Sequence, residues 1–302
     1  PLRTLSRISQ GRLWRQGGPC VTPLESEEQR EDWGKGTELS WAKRFLRELS
    51  AIIAKSYTMA EMEVRKLRHD PTELMTRAVQ PILWLAIFGQ AMSRVRAIPT
   101  GGFTYLQFMT PGILAQSVVF IAIFYGLSII WERDMGVLQK FLATPTPREA
   151  LVLGKMISAG IRGISQAIIV LVVAAVLRVR LRVTVPGVLG VLVVIMLGAG
   201  FFAGLSMIIA SIVKTRERFM GIGQVITMPL FFASNALYPI TIMPAWLRVV
   251  SVANPLSYIV DALRSFLVTG DLARVPLDLG VLVLAGLVVT FVSAFMYPRV
   301  VA

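Results

Sequence analysis

The sequence predicts an all-α membrane protein with six transmembrane helices. Hydrophobic residues make up 55% of the 302 residues, and the mean hydropathy is +0.65, whereas soluble domains are about 45–50% apolar. The excess is concentrated in long apolar runs, and an α-helix needs about 20 apolar residues to cross a bilayer. The charged residues, with a net charge of +13, lie mainly between these runs, as is typical of a multi-pass chain.

Six runs are long enough to be spans. They cover about residues 72–92, 105–130, 156–177, 185–213, 220–237 and 277–297. The first run is the weakest, because Arg77, Gln80 and Pro81 lie near its start, but its length permits a tilted crossing. In the fourth run Gly200 and Gly204 have the spacing that lets two helices approach closely.

The distribution of Lys and Arg orients the spans. With a cytoplasmic amino terminus, 22 of these residues lie on the cytoplasmic side, counting Arg77 there, and 8 lie outside. Because positive charge collects on the cytoplasmic side, we predict an inner or plasma membrane protein with both termini cytoplasmic. The cluster Arg178, Arg180 and Arg182 on the outer side is an exception.

Nucleic-acid binding is the rival interpretation of a basic chain, but the basic residues flank apolar runs, so we predict the lipid bilayer as partner and no nucleic acid.

Two segments precede the predicted transmembrane domain of residues 71–302. Residues 1–39 are rich in Arg, Gly, Glu and Pro without a sustained period, which predicts an irregular cytoplasmic arm. Residues 40–70 show apolar side chains at helical spacing, which favours an amphipathic helix in the plane of the headgroups. An amphipathic helix packed against protein is the alternative. The residues that we assign to this helix are Trp41, Phe45, Leu49, Arg65 and Arg68.

A charged amphipathic stretch follows the second span, over residues 131–155. It predicts a short helix at the membrane surface that contacts another protein. Glu132, Arg133 and Asp134 lie where the second span leaves the membrane. Gly136 either permits a tight turn or is incidental. The alternative is a solvated helix end whose long side chains reach toward water.

A second unusual stretch covers residues 238–274. It is too apolar for a free loop and too interrupted by proline to cross the membrane, so we predict two short helices that dip into the outer leaflet. Asp261 and Arg264 are three residues apart and share a helix face; they either form an ion pair or point to outer water. Ser234 and Asn235, just before it, either line a pathway or cap the preceding helix.

Arg162 lies inside the third span. A charge there is a functional candidate by default. However, Arg162 is only about six residues from Met156, or roughly 9 Å along a helix, so its guanidinium can also reach the cytoplasmic headgroups. Both interpretations stand on the sequence alone.

Several kinds of site are absent from the sequence. No Gly-x-x-x-x-Gly-Lys-Ser/Thr loop is present to bind nucleotide phosphates, since Gly154-Lys155 is followed by Met156. We therefore predict that the chain is not itself an enzyme and has no catalytic residue. One cysteine, Cys20, and one histidine, His69, argue against a disulfide or a His-rich metal site, so we predict no metal and no cofactor.

Seven short stretches carry a recognisable order and spacing. They are EVRKLRHDP at 63–71, PILWLAIFG at 81–89, ERDMG at 132–136, LATP at 142–145, ALYP at 236–239, MPAWL at 243–247 and NPLSYIVDALR at 254–264. Together they resemble the ABC-2 type exporter permeases, in particular the daunorubicin-resistance-like membrane subunits. The resemblance covers residues from about 60 to 300.

The resemblance implies an ABC-2, or type V exporter, fold. It implies a six-span half-transporter that pairs with a second membrane subunit, as a homodimer, and binds two ATP-binding cassette ATPase subunits, which carry the ATP and Mg²⁺. The amphipathic segment would be the interface helix. The cytoplasmic coupling helix would include Trp131, Glu132, Arg133, Asp134, Gly136, Leu138 and Leu142. The extracellular re-entrant helical hairpin and substrate path would include Ser234, Asn235, Tyr238, Pro239, Asn254, Pro255, Tyr258, Asp261 and Arg264.

The expected function is therefore export. Because the spans carry few charges and a hydrophilic path would be more polar, we expect a lipophilic or amphipathic substrate, such as a drug-like molecule, a lipid or a lipid-linked compound. A permease for lipid-linked polysaccharide, of the O-antigen or teichoic-acid type, is one alternative. An ATPase-independent secondary transporter is another, but it would use broken helices and membrane-embedded carboxylates, and none of the six spans has a central Asp or Glu.

Overall fold

The chain is mainly helical in the part that the structure, a computed structural model, describes: residues 71–95, 98–136, 148–213 and 215–296. These residues belong to the compact unit Ala51–Ala302. They contain no β-strand, which confirms the all-α prediction. The α-helices are α1 (Pro71–Ile82), α2 (Gln90–Val95), α3 (Tyr105–Asp134), α4 (Arg148–Val176), α5 (Val185–Ile212), α6 (Arg216–Phe232), α7 (Ala245–Ala253), α8 (Pro255–Arg264) and α9 (Val275–Met296).

Four helices are long and apolar enough to cross a membrane. They are α3, the Leu151–Val176 part of α4, α5 and α9, and they coincide with the second, third, fourth and sixth predicted spans. The fifth predicted span corresponds to α6, which has only 17 residues. The first is divided among α1, a π-helical segment (Leu83–Gly89) and α2. The count of six spans therefore stays a prediction.

Proline explains the division of the first run. Pro81 lies within α1, where it lacks a backbone N–H and its ring crowds the preceding turn, and the π-helical segment begins two residues later. The indole of Trp84 in this segment makes T-shaped contacts with the rings of Phe88 and Phe231. The ring centroids are 5.2 Å apart in the first pair and 5.4 Å apart in the second. The run thus packs against the end of α6.

The core is built around α3 and α5. In the most apolar window of α3, 78% of the residues are buried, against 17% in α9. α3 lies against α4, α5, α6 and α8, while α9 packs on α5, α8 and α4. Because α9 has one covered side, most of its apolar surface faces outward.

The small residues of α5 serve contacts within the chain. The Ser293 hydroxyl of α9 donates a hydrogen bond to the Gly204 carbonyl at 2.9 Å. The end of the Met156 side chain in α4 lies 3.6 Å from where a Cβ on Gly200 would stand. The Gly200–Gly204 pair therefore lets α4 and α9 approach α5, which is one of the uses of such a pair.

Two short helices, α7 and α8, occupy the stretch predicted to hold a helical pair, with a 3₁₀ turn (Ile240–Ile242) before them and a π-helical segment (Ser265–Thr269) after them. α8 is buried against α3, α5 and α9. In contrast, α7 exposes Trp246 and Val249, whose side chains are 69% and 71% exposed. The secondary structure agrees with the prediction, whereas the depth of the pair in a bilayer stays a prediction.

Candidate functional site

The end of α3 is tied to the start of α6. Asp134 accepts hydrogen bonds from Arg216 at 2.9 Å and from its neighbour Arg133 at 3.1 Å. The guanidinium of Arg216 also lies over the indole of Trp131, 3.7 Å from the ring centroid, a favourable cation–π contact. Three residues predicted to contact an ATPase thus take part in contacts within the chain.

A second ion pair ties the same end of α3 to α4. The Lys155 ammonium donates to Glu132 at 2.6 Å, and the Lys155 side chain is only 7% exposed. Because an ammonium is costly to bury without a partner, Glu132 compensates Lys155 and holds the two helices together. Neither the Lys155 nor the Arg216 partnership was predicted, since each joins residues far apart in the sequence.

Gly136 ends α3. Its φ of +68° is left-handed, a conformation that glycine adopts without a side-chain clash, and its N–H donates to the Arg133 carbonyl at 2.9 Å. The chain therefore turns away directly after the two ion pairs. The other predicted coupling residues, Leu138 and Leu142, and the five of the interface helix, Trp41, Phe45, Leu49, Arg65 and Arg68, lie outside the described residues.

At the opposite end of α3, a polar cluster joins α8 to the exit of α6. Arg264 donates to Asp261 at 3.3 Å and to the Asn235 carbonyl at 2.8 Å, and its guanidinium lies 4.0 Å from the centroid of the Phe108 ring. The Asn235 amide donates to Asp261 at 2.5 Å. Asp261 and Arg264 therefore form an ion pair, and Asn235 belongs to it. The sequence had left open whether these charges pair or point to water.

Asn254 and Pro255 begin α8. The Asn254 side-chain oxygen accepts from the Leu256 N–H at 3.0 Å, while its amide donates to the Leu230 carbonyl at 2.7 Å. Pro255 occupies the first helical turn, where its missing N–H costs nothing. One residue thus caps α8 and fastens it to α6.

Other polar residues of the predicted path satisfy backbone carbonyls. The Ser234 hydroxyl donates to the Phe231 carbonyl at 2.7 Å, and Tyr238 donates to the Phe232 carbonyl, so both close the end of α6. Pro239 precedes the 3₁₀ turn.

α8 is also joined to α7 and bounds a cavity. The Tyr258 hydroxyl donates to the Val252 carbonyl at 2.8 Å. Beside Tyr258, a cavity of about 320 Å³ is lined by Asp261, Arg274 and Asp278. Asp278 is 3% exposed, and one of its carboxylate oxygens has no hydrogen-bond partner among the described residues. We did not predict Asp278 as a site residue, although it stands at the start of the sixth apolar run.

The sequence is similar to those of known transport proteins. Residues 55–268 match the family model described as ABC-2 type transporter. The chain is 26% identical over 229 residues to the daunorubicin resistance ABC transporter permease protein DrrB1 of Streptomyces coeruleorubidus, covering 76% of this chain and 80% of the relative. It is 25% identical over 222 residues to the putative transport permease ycf38 of Cyanophora paradoxa, covering 73% and 74%. It is 25% identical over 232 residues to nodulation protein J of Rhizobium meliloti (strain 1021), covering 75% and 86%.

The matched segment covers more than half of the chain. It contains the whole of α3 with both of its ends, and also α6, α7 and α8. The four long apolar helices agree with a multi-pass membrane subunit. The chain therefore belongs to the ABC-2 type transporter family, whose members are the membrane subunits of ABC transporters and work with an ATP-binding cassette ATPase.

Proposed function

We propose that this chain is the permease subunit of an ABC exporter that moves a lipophilic or amphipathic substrate outward across the inner or plasma membrane. In this proposal it has six spans and both termini in the cytoplasm, and a separate ATPase subunit drives it. The apolar character of the long helices supports such a substrate. The names of two relatives, the daunorubicin resistance permease and a probable multidrug ABC transporter permease of Escherichia coli (strain K12), support a drug-like substrate.

The observation that carries the proposal is the pair of ion contacts at the end of α3. Glu132 joins α3 to α4, and Asp134 joins α3 to α6, immediately before the chain turns at Gly136. A force applied to the following residues, 137–147, would therefore reach three helices at once. A segment in that position is suited to receive the motion of an ATPase.

The working unit in this proposal has two copies of the chain and two ATPase subunits. Closed two-fold assembly is the commonest solution for identical subunits. Approach of the two ATPases on binding ATP would turn the membrane halves about their interface as rigid bodies. If binding of ATP favours one of the two conformations, inward-facing or outward-facing, by about 5.5 kcal/mol, the populations of the two conformations reverse almost completely.

The test is to purify the chain with its ATPase in detergent, measure the mass of the complex and assay transport in inside-out vesicles. Daunorubicin, taken from the name of one relative, is the first probe. We expect two copies of each subunit and uptake that needs ATP and stops when the phosphate-binding lysine of the ATPase is replaced. A transporting complex with one copy of each subunit would contradict the assembly, and uptake without any ATPase would contradict the class.

A further inference from the structure

The cavity beside α8 contains a carboxylate that the described part of the chain leaves without a counter-ion. Asp278, in the first turn of α9, lines this cavity of about 320 Å³. Its side chain is buried, and one of its carboxylate oxygens has no hydrogen-bond partner among the described residues. Nor does Asp278 take part in any ion pair between described residues. Because a buried carboxylate is costly without a partner of opposite charge, the position favours a cationic ligand.

The other charged groups that line the cavity do not neutralise Asp278. Asp261 already accepts hydrogen bonds from Arg264 and from the Asn235 amide. Arg274 lines the cavity too, but it is exposed and forms no ion pair within the described part of the chain. An exposed guanidinium is hydrated, and salt screens its field. It therefore weakens the attraction of a cation to Asp278 without replacing that cation.

Two buried hydroxyls add acceptors to the same cavity. Ser251 of α7 and Ser257 of α8 both line it, with their Oγ atoms 3.2 Å apart, and either hydroxyl can be the donor of the bond between them. A hydroxyl oxygen has two acceptor positions, so one bond leaves capacity for a ligand. An ammonium group carries three N–H donors and no acceptor. A carboxylate and two hydroxyls are thus a suitable set of acceptors for it.

The rest of the lining favours an organic cation over a metal ion. Ile240, Val252 and Leu277 line the cavity, and Val252 and Leu277 are exposed at its edge. Its volume lies at the lower end of the range for organic ligands, about 300 to 1,000 Å³. No group of three or more His, Cys, Asp or Glu residues that could hold a metal ion occurs in the described ranges. A ligand that fits has one ammonium group and an apolar body.

We propose that this cavity binds an amphipathic organic amine through its ammonium group. The Asp278 carboxylate is the counter-ion, and the Ser251 and Ser257 hydroxyls are further acceptors. The apolar body of the amine lies against Val252 and Leu277. An ionisable side chain within an apolar span is costly and points to function. The binding itself stands on this geometry, whereas its use as a stage in the export of amphipathic amines rests on the proposed function.

The test uses the full chain purified in a non-ionic detergent, without any ATPase. Fluorine NMR follows para-trifluoromethylbenzylammonium and its neutral analogue para-trifluoromethylbenzyl alcohol during titration with the protein, and empty micelles give the background. We expect saturable binding of the amine and much weaker binding of the alcohol. Asp278→Asn keeps the shape of the side chain but removes its charge, so it should weaken amine binding about tenfold, as expected for a lost hydrogen bond to a charged group. The matched control Asp271→Asn removes an exposed carboxylate outside the cavity and should leave amine binding unchanged.

A second variant separates loss of the site from loss of the fold. Arg274→Gln removes the competing positive charge, so it should strengthen amine binding about twofold, a change that an unfolded chain cannot produce. Equal affinity of the unaltered chain for the amine and the alcohol would overturn the proposal. Amine binding by Asp278→Asn as tight as that of the unaltered chain would overturn it as well.

Two further comparisons identify the kind of cation and keep the two proposals apart. Sodium chloride should displace the amine no better than choline chloride at the same concentration. Stronger displacement by sodium would assign the site to a small inorganic cation and overturn the organic one. Because no ATPase is present, amine binding without ATP-driven transport would contradict the proposed function alone, and transport without amine binding would contradict this site alone.

Discussion

Lys155 and Glu132 show at the residue scale how one pair can join two helices. The Lys155 side chain is almost fully buried, and its ammonium lies 2.6 Å from the Glu132 carboxylate. Glu132→Lys places two ammonium groups together, so we expect it to lower the free energy of unfolding by about 1–3 kcal/mol, less than for a fully buried pair. The same substitution should also reduce the extent to which this chain stimulates ATP hydrolysis by its ATPase partner in the complex.

The exchanged pair Glu132→Lys/Lys155→Glu should recover most of the stability and the stimulation, measured by thermal unfolding in detergent and by ATP hydrolysis with the partner. Arg94→Gln is the control for the loss of an exposed charge. If the exchanged pair is stable but stimulates as poorly as the single variant, Glu132 contacts the ATPase rather than only Lys155.

Arg264 is the centre of the opposite polar cluster. It pairs with Asp261, donates to the Asn235 carbonyl and lies over Phe108. We expect Arg264→Gln to destabilise the protein strongly, because Asp261 then loses its counter-ion in a half-buried position. Adding Asp261→Asn should recover part of the loss, with a coupling free energy of about 0.5–3 kcal/mol in a double-mutant cycle followed by thermal unfolding. Strictly additive effects would show that the two residues are energetically independent.

At the scale of elements, α3 packs closely on the turn that follows α6. A Cβ added to Gly112 would stand 2.5 Å from the Ala236 carbonyl oxygen and 2.7 Å from its Cα. Backbone atoms cannot rotate away as a side chain can, so we expect Gly112→Ala to separate the two elements and cost about 1–3 kcal/mol.

The matched control is Gly280→Ala in α9, where no atom of another helix among the described residues lies within 4 Å of the added Cβ. It should be neutral or slightly stabilising, because alanine is the better helix former. Thermal unfolding in detergent compares the two variants. An equal effect of both substitutions would indicate that helix propensity, and not the contact with Ala236, decides the result.

At the scale of the whole molecule, the proposed topology places the α2–α3 connection outside and the α5–α6 connection inside. Cysteine scanning is direct, because replacing Cys20 by serine removes the one native thiol. In that background we expect Thr100→Cys to react with an impermeant maleimide in intact cells and Thr215→Cys to react only in inside-out vesicles. Reaction of position 100 from the cytoplasmic side alone would contradict the topology.

The sequence by itself determined where the long helices lie. Apolar composition along the chain is a local property, and the predicted spans 105–130, 185–213 and 277–297 agree closely with α3, α5 and α9. α3 continues four residues beyond its predicted end, because Trp131 to Asp134 remain helical although the last three of them are charged. The predicted span 220–237 lies about four residues too late, since α6 begins at Arg216 and Ser234 closes its end.

The sequence also indicated contacts between near neighbours. Asp261 and Arg264 share a helix face because their spacing is helical, and the structure contains their ion pair. A tight turn at Gly136 was one of two interpretations, and its left-handed φ ends α3. Such features follow from the geometry of one helix, so the residue spacing alone is sufficient to find them.

Only the tertiary structure decided which distant residues meet. Lys155 with Glu132, Arg216 with Trp131 and Asn235 with Asp261 are each separated by more than twenty residues. The same holds for Arg77 and Arg162, which one cavity brings together. These pairs depend on how the helices are rotated and crossed in packing, whereas hydropathy records only that each helix is apolar.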